Sequence, residues 1–322
     1  MRIKAWDHRT VPSKEWDNFV QNSQQGTLFS ESRFYQHHDK QAGEQYLGVF
    51  KKDKLIGGIV GIKRDEVFQS PVMASYGGFM WEKESRFKYI EEILIHSCAH
   101  LREEGISTLK LTPPPDVYGF EPDQTLDYLI NYYGGTVSQT LISSVISAHD
   151  YTLGSHCSST KRWEIRRAER NGIRVKKIDD FDAFYPILLE NKAKFKLKPT
   201  HSLSELIKLF ELFPQRIHLF GAYFEDQLVG GLINFDANKQ TTLTFYIAAK
   251  DEYQELLPVQ RLIHEAVSDA RRRSFSWMDL GVSMETDTDN PMDPRRSLLF
   301  FKNGFGAIGQ TRKTYELPIS EI

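Results

Sequence analysis

The sequence predicts an α/β (α+β) protein built from two copies of one domain, each a mixed, mostly antiparallel sheet flanked by helices. Three observations predict it. Residues 48–61, GVFKKDKLIGGIVG, align with residues 221–234, GAYFEDQLVGGLIN, at an offset of 173, with Gly48/Gly221, Asp53/Asp226, Leu55/Leu228, Gly57/Gly230 and Gly58/Gly231 identical. The same order of apolar periodicities follows each copy. The length of 322 residues suits two domains. A repeat this long is a duplicated domain and not a solenoid unit.

The elements follow in order. Each repeat copy is two apolar runs around a charged turn containing Asp, which is a β-hairpin pattern. After the first hairpin, residues 71–77 read as a strand, 86–104 as a helix and 108–112 as a strand. After the second, residues 240–247 read as a strand, 252–273 as a helix and 276–280 as a strand. The two helices share Leu-Ile-His, at Leu94–His96 and Leu262–His264. The polar segment TLGSHCSST reads as a linker, placing the domains at 1–152 and 153–322. A helix follows it, with Ser159 or Thr160 as cap and Asn171-Gly172 as its end. Two ordinary helices fill the stretch between Ile173 and Arg216. A short helix carries Lys302 and ends at Gly304. A last strand, 307–317, is expected either in the second domain or across in the first.

Composition narrows the function. Hydrophobic residues make up 40% and aromatics 12%, enough for two cores, so a disordered chain is excluded. Lys+Arg number 41 against Asp+Glu 43, which argues against a chain built to coat nucleic acid; no DNA partner is expected. Two cysteines, Cys98 and Cys157, leave no disulfide framework. The polar opening MRIKAWDHRT lacks a signal-peptide apolar stretch, and the longest uncharged run, 128–149, is interrupted by Asn, Gln and Gly. The expectation is a cytoplasmic protein with at most peripheral membrane contact.

The order of hairpin, strand, helix and strand resembles the GNAT acyltransferase fold, and two such domains in tandem resemble the FemABX-type transferases. Three segments carry the resemblance: GTLFSESRFYQ (26–36), SSTKRWEIRRAERNGIRV (158–175) and LLFFKNGFGA (298–307). The resemblance implies an acyl- or aminoacyltransferase acting on an amine of a phosphorylated, peptidoglycan-type cell-envelope precursor. The donor would be aminoacyl-tRNA or acyl-CoA as co-substrate, with charged tRNA as a partner in the first case and no tightly bound cofactor. The helical arm that some members use to hold tRNA has no room in this chain. Two alternatives stay open: a CoA-dependent N-acetyltransferase on a small amine or sugar, and a GNAT-fold binding protein without chemistry.

Amide formation from an activated donor needs a deprotonated amine, a polarised carbonyl and close approach of the two. Lys302, beside Phe301, is the foremost candidate. The resemblance implies that it stabilises negative charge near the reacting carbonyl or the donor phosphate. Residues 161–177 hold eight Lys/Arg against Glu164 and Glu169. Lys161 and Arg162 sit in the first helical turn, against the macrodipole, which points to an anion-facing role. Arg166 and Arg167 are the expected ligands for acceptor anions. Tyr246, at the acyl-site level of the resembled fold, and Asp279, at the end of the next strand, are expected to orient groups or move protons. Arg295 follows an acidic loop (284–293) and is expected to bind substrate. The usual CoA loop is missing: 246–262 has no glycine and carries Asp251, Glu252 and Glu255. His96 and His100 flank Cys98 at i, i+4 spacing without a third ligand, so no metal is expected. The absence of GxxxxGK[ST] and GxGxxG removes support for nucleotide hydrolysis and dinucleotide binding.

Overall fold

The computed structural model describes residues 1–38, 43–320 and 322. They fall into two compact units, Met1–Leu141 with Thr311–Ile322, and Ile142–Gln310. The first unit contains β1 (Arg2–Asp7), α1 (Ser13–Asn22), β2 (Gln45–Lys51), β3 (Lys54–Arg64), β4 (Val67–Ser70), β5 (Met80–Trp81), α2 (Phe87–Glu103), β6 (Thr108–Leu111) and α3 (Thr125–Tyr132). β7 (Thr136–Ser147) leads into the second unit, which continues with α4 (Leu153–His156), α5 (Ser159–Arg170), β8 (Ile173–Ile178), α6 (Phe181–Ala193) and α7 (Leu203–Leu212). There follow β9 (Ile217–Phe224), β10 (Gln227–Asp236), β11 (Thr241–Ala249), α8 (Pro258–Arg272), β12 (Trp277–Val282) and α9 (Arg296–Asn303). β13 (Ile308–Pro318) begins in the second unit and ends in the first.

Each unit has the mixed, mostly antiparallel sheet that the sequence predicts. In the first, β1-β2-β3-β4 is antiparallel, β4 pairs β6 in parallel, and β6 pairs β13 antiparallel through Tyr315 opposite Leu111. In the second, β8-β9-β10-β11 is antiparallel, β11 pairs β12 in parallel, and β12 pairs the end of β7 antiparallel. The parallel step in each unit requires a crossover helix, α2 or α8. Buried Ile90, Ile93, Leu94, Cys98 and Leu101 line one face of α2, and buried Leu262, Ile263, Ala266, Val267 and Ala270 line one face of α8.

The repeat is structural in detail. Lys51 pairs Lys54 and Phe224 pairs Gln227, and the first turn residues, Lys52 (φ 56°) and Glu225 (φ 53°), are both left-handed. Both hairpins carry a register shift at the same place, leaving Ile56 and Val229 as the extra residues. A Cβ at Gly58 would lie 2.9 Å from the Trp16 ring, and one at Gly231 would lie 2.5 Å from the Phe184 ring. Glycine therefore lets an aromatic of the preceding helix, α1 or α6, rest on the backbone.

Three elements differ from the sequence reading. Residues 71–77 are not a strand: β4 ends at Ser70, and Pro71, which has no N–H for the ladder, starts an irregular stretch. The helix expected over 252–273 is a 3-10 turn, Asp251–Leu256, then Leu257 at φ 63°, then α8 with Pro258 as its first residue. Pro258 cannot donate within a continuing helix and suits a first turn. The cap of α5 is Ser158, whose hydroxyl accepts from the Lys161 N–H at 3.2 Å, and not Ser159 or Thr160. No helix among the described residues is long and apolar enough to cross a membrane.

Candidate functional site

The second unit opens where β11 and β12 separate. They pair only over Thr241–Leu243 against Trp277–Asp279. Beyond that point β12 turns at Gly281 (φ 75°), a conformation that glycine adopts without strain. Asp279, fully buried, holds the turn: its Oδ1 accepts from the Gly281 N–H at 2.7 Å and from the Ser143 hydroxyl, on β7, at 2.5 Å.

Lys302 comes to the same turn from α9. Its Nζ donates to the carbonyls of Gly281 at 2.7 Å and Val282 at 3.2 Å. An ammonium has three N–H donors, and among the described residues no third acceptor is present. Burial lowers the Lys302 pKa from 10.5 to about 8, with the nearby Asp279 charge acting in the opposite direction. At neutral pH the group is mostly a cation with one donor unspent. That is the equipment for holding an oxyanion or a phosphate oxygen.

The other predicted residues stand in separate contacts. Tyr246, buried, lies three residues beyond the last β11–β12 pair. Its phenol oxygen accepts from the His201 N–H at 3.1 Å and is 3.0 Å from the His201 Nδ1. Burial raises its pKa, and hydrogen bonds from His201 and Thr200 oppose that, so the phenol is neutral at physiological pH. Phe301 packs against Phe305 at 5.3 Å and under the Lys161 ammonium at 4.2 Å. Arg295 precedes α9 and lays its guanidinium over the Phe195 ring at 5.0 Å. Arg166 and Arg167 are exposed on α5, and Arg167 lies over the exposed Trp163 ring at 5.1 Å.

The expectation for the first turn of α5 is overturned. Lys161 is buried, ion-paired with Glu164 at 2.5 Å and stacked on Phe301, so its charge is already matched. Arg162 donates to the carbonyls of Gly154 at 3.0 Å and Cys157 at 2.9 Å, tying down the connection into the helix. Both are engaged within the chain, Lys161 by a carboxylate and Arg162 by carbonyls. The exposed positions Arg166, Arg167 and Arg170 remain available at i, i+1 and i+4.

Sequence reasoning missed Ser143, His201 and Lys192. Ser143 and His201 partner Asp279 and Tyr246, and nothing in their local sequence marks them. Lys192 lies on α6 with its ammonium 5.9 Å from the Tyr246 ring centroid. An unpaired lysine on a helix of known face would have been its only signal.

Residues 155–288 match the model of the acetyltransferase (GNAT) domain family. No curated protein sequence matches the chain. Among solved structures, FemX superposes with a TM-score of 0.72 at 12% identity, covering 99% of this chain and 97% of that one. The C-terminal domain of a putative lysylphosphatidylglycerol synthetase from Agrobacterium fabrum gives 0.61 at 9% identity, covering 94% and 91%. A tandem GNAT protein from the clavulanic acid biosynthesis pathway gives 0.55 at 9% identity, covering 100% of each chain. The GNAT domain match over residues 155–288 and the GNAT-fold neighbours support an acyltransferase. Its fold is the tandem GNAT architecture of the FemABX type.

Proposed function

We propose that the protein transfers an activated acyl or aminoacyl group to an amine of a cell-envelope precursor of the peptidoglycan type, in the second unit. The observation that carries this reading is the buried Lys302 ammonium, held on two carbonyls at the opening between β11 and β12 with a third N–H unspent. That N–H stabilises the oxyanion of the reacting carbonyl or a donor phosphate. Asp279 fixes the turn that Lys302 grips and biases the lysine toward its charged form. Tyr246 orients the loop at His201 beside the acyl position. Arg166 and Arg167 meet anions of the acceptor, and Phe301 and Arg295 contribute to the walls that bind substrate. Catalysis is by approximation and electrostatics, with no covalent enzyme intermediate.

The connection before α8 favours an aminoacyl-tRNA donor over acyl-CoA. It presents Asp251, Glu252 and Glu255 on a 3-10 turn, with no glycine to expose backbone N–H groups to a pyrophosphate. Calorimetric titration with acetyl-CoA tests the donor, and single-turnover transfer from charged tRNA to an amine acceptor tests the reaction. Tight acetyl-CoA binding replaces this donor with the CoA-dependent reading. No turnover with either donor class overturns transferase activity.

A further inference from the structure

We infer that Lys161 is a positioning residue for Lys302: its side chain seats α9 on α5 and so sets where the Lys302 ammonium stands at the opening. That this serves catalysis rests on the proposed transfer reaction. That it sets the place of Lys302 rests on the following geometry.

α9 has little of its own to hold it in place. It is eight residues long, its N-terminus has no side-chain cap, and the residue it buries is Lys302 itself. Leu298, Leu299 and Phe301 are half-buried, and Phe300 is exposed. A helix this short depends on tertiary packing for its stability. A buried ammonium is a poor anchor, because removing a charge from water opposes folding. The end of α9 that carries Lys302 is therefore fixed from outside.

The start of α5 supplies that fixing. The Lys161 ammonium lies 4.2 Å from the centre of the Phe301 ring and 5.3 Å from that of the buried Phe305. Its alkyl stem lies on Gly304, where a Cβ would stand 2.6 Å from the Lys161 Cγ and 3.0 Å from its Cε. Gly304 is at φ −60° and ψ −21°, a helical backbone that any residue adopts. The glycine thus answers to the lysine stem and not to the turn. Beside it, the Ser158 N–H, at the cap of α5, donates to the Gly304 carbonyl at 2.9 Å. These contacts fall on the residues either side of Lys302.

The charge makes the seat directional. Glu164 holds the Lys161 ammonium at 2.5 Å, and Gln260 on α8 lies 3.5 Å from the same carboxylate oxygen. A cation held between a carboxylate and ring faces loses both if α9 shifts. Lys161 does not act on Lys302 by its charge: the causes that move the Lys302 pKa are its burial and Asp279.

The test is a carbon-13 NMR titration of the lysine Cε resonances in the intact, lysine-labelled protein, with Lys302 assigned by its loss in Lys302→Met. The parent midpoint for Lys302 is expected at about 8. Lys161→Met removes the charge and keeps part of the stem, whereas Gly304→Ala keeps every charge and displaces the stem. Each is expected to loosen α9, admit water and raise the Lys302 midpoint by about one pH unit or more, while amide exchange in α8 stays as in the parent. Transfer is expected to fall about tenfold or more in kcat with KM within about threefold. If Lys161→Met also loses protection in α8, Gly304→Ala decides. An unmoved midpoint in a folded variant overturns the inference, as does loss of α8 protection in both variants, because the side chain would then hold the whole unit. A moved midpoint with parental kcat overturns the positioning role. Absence of transfer in the parent strikes the transfer reading and leaves the titration to decide the seat of α9.

Discussion

Lys302 and Asp279 hold opposite ends of one residue, Gly281: the carboxylate takes its N–H at 2.7 Å and the ammonium gives to its carbonyl at 2.7 Å. The two charges meet at a left-handed turn, each through one hydrogen bond to Gly281. This couples the shape of the opening to the charge state of Lys302. The third N–H of the ammonium then points to a single prediction about rate. Lys302→Met keeps most of the side-chain length and removes the donors. Thermal melting is expected to stay within a few degrees of the parent, while transfer falls by about a hundredfold or more, the scale of losing one oxyanion donor. Parental rates in a folded Lys302→Met variant would remove Lys302 from the mechanism.

The pH dependence follows from the same group. Lys302 has a pKa of about 8 in the folded chain against 10.5 in the reference state. Below pH 8 the lysine is charged in both states, and the folded state carries the full desolvation penalty, roughly 3 kcal/mol. Between pH 8 and 10.5 the folded state releases its proton first, so the penalty shrinks as pH rises. Denaturant unfolding of the parent relative to Lys302→Met should therefore show the parent gaining stability across this window. Activity should move the other way, with a falling limb near pH 8 as the cation is lost. A rate profile flat to pH 9.5 would show that the charge is not used.

Asp279→Asn isolates the second grip. The amide keeps the volume but weakens the bonds from Ser143 and Gly281, in a fully buried site. The expected loss is about 1–3 kcal/mol of unfolding free energy. Because the Asp279 charge raises the Lys302 pKa, removing it should also shift the falling limb of the rate profile to lower pH. A stability loss with an unmoved limb would mean that Asp279 only holds the turn.

The duplication makes a paired prediction. Gly58→Ala and Gly231→Ala each place a methyl group against an aromatic ring, at 2.9 Å from Trp16 and 2.5 Å from Phe184. Both rings are fully buried and cannot swing into solvent. Each substitution is expected to cost about 1–3 kcal/mol by overpacking, read from denaturant unfolding. A neutral result at one position would show that the two hairpins have diverged in how they seat their helices.

Much of this architecture is legible in the sequence because it rests on local rules. The paired glycines, the Asp-containing turns and the helical spacing around Leu94 and Leu262 each report a backbone or packing need at their own position. What was not legible depends on partners distant in the chain. Lys161 and Arg162 looked misplaced in a first helical turn, yet Glu164, Phe301 and two carbonyls of the preceding connection account for them. Residues 71–77 looked extended, but Pro71 removes the ladder donor where β4 ends. Ser143 lies 136 residues from Asp279, and His201 lies 45 from Tyr246, so no window of sequence joins them.

Tyr246→Phe tests how far the phenol matters to chemistry. Its oxygen is engaged by His201, through the backbone N–H and the ring nitrogen, in a buried setting. Removing it leaves the His201 N–H without that acceptor, which costs about 1–3 kcal/mol. The phenyl ring that remains still lies beneath Lys192. If the phenol acts by holding the 200–201 loop, the variant melts earlier while its transfer rate at saturating substrate drops less than tenfold. If it donates a proton to the leaving group, the rate falls by a hundredfold or more. The hydrogen bonds to His201 favour the first outcome, because a phenol already committed to a buried partner must break that bond before it can serve the substrate.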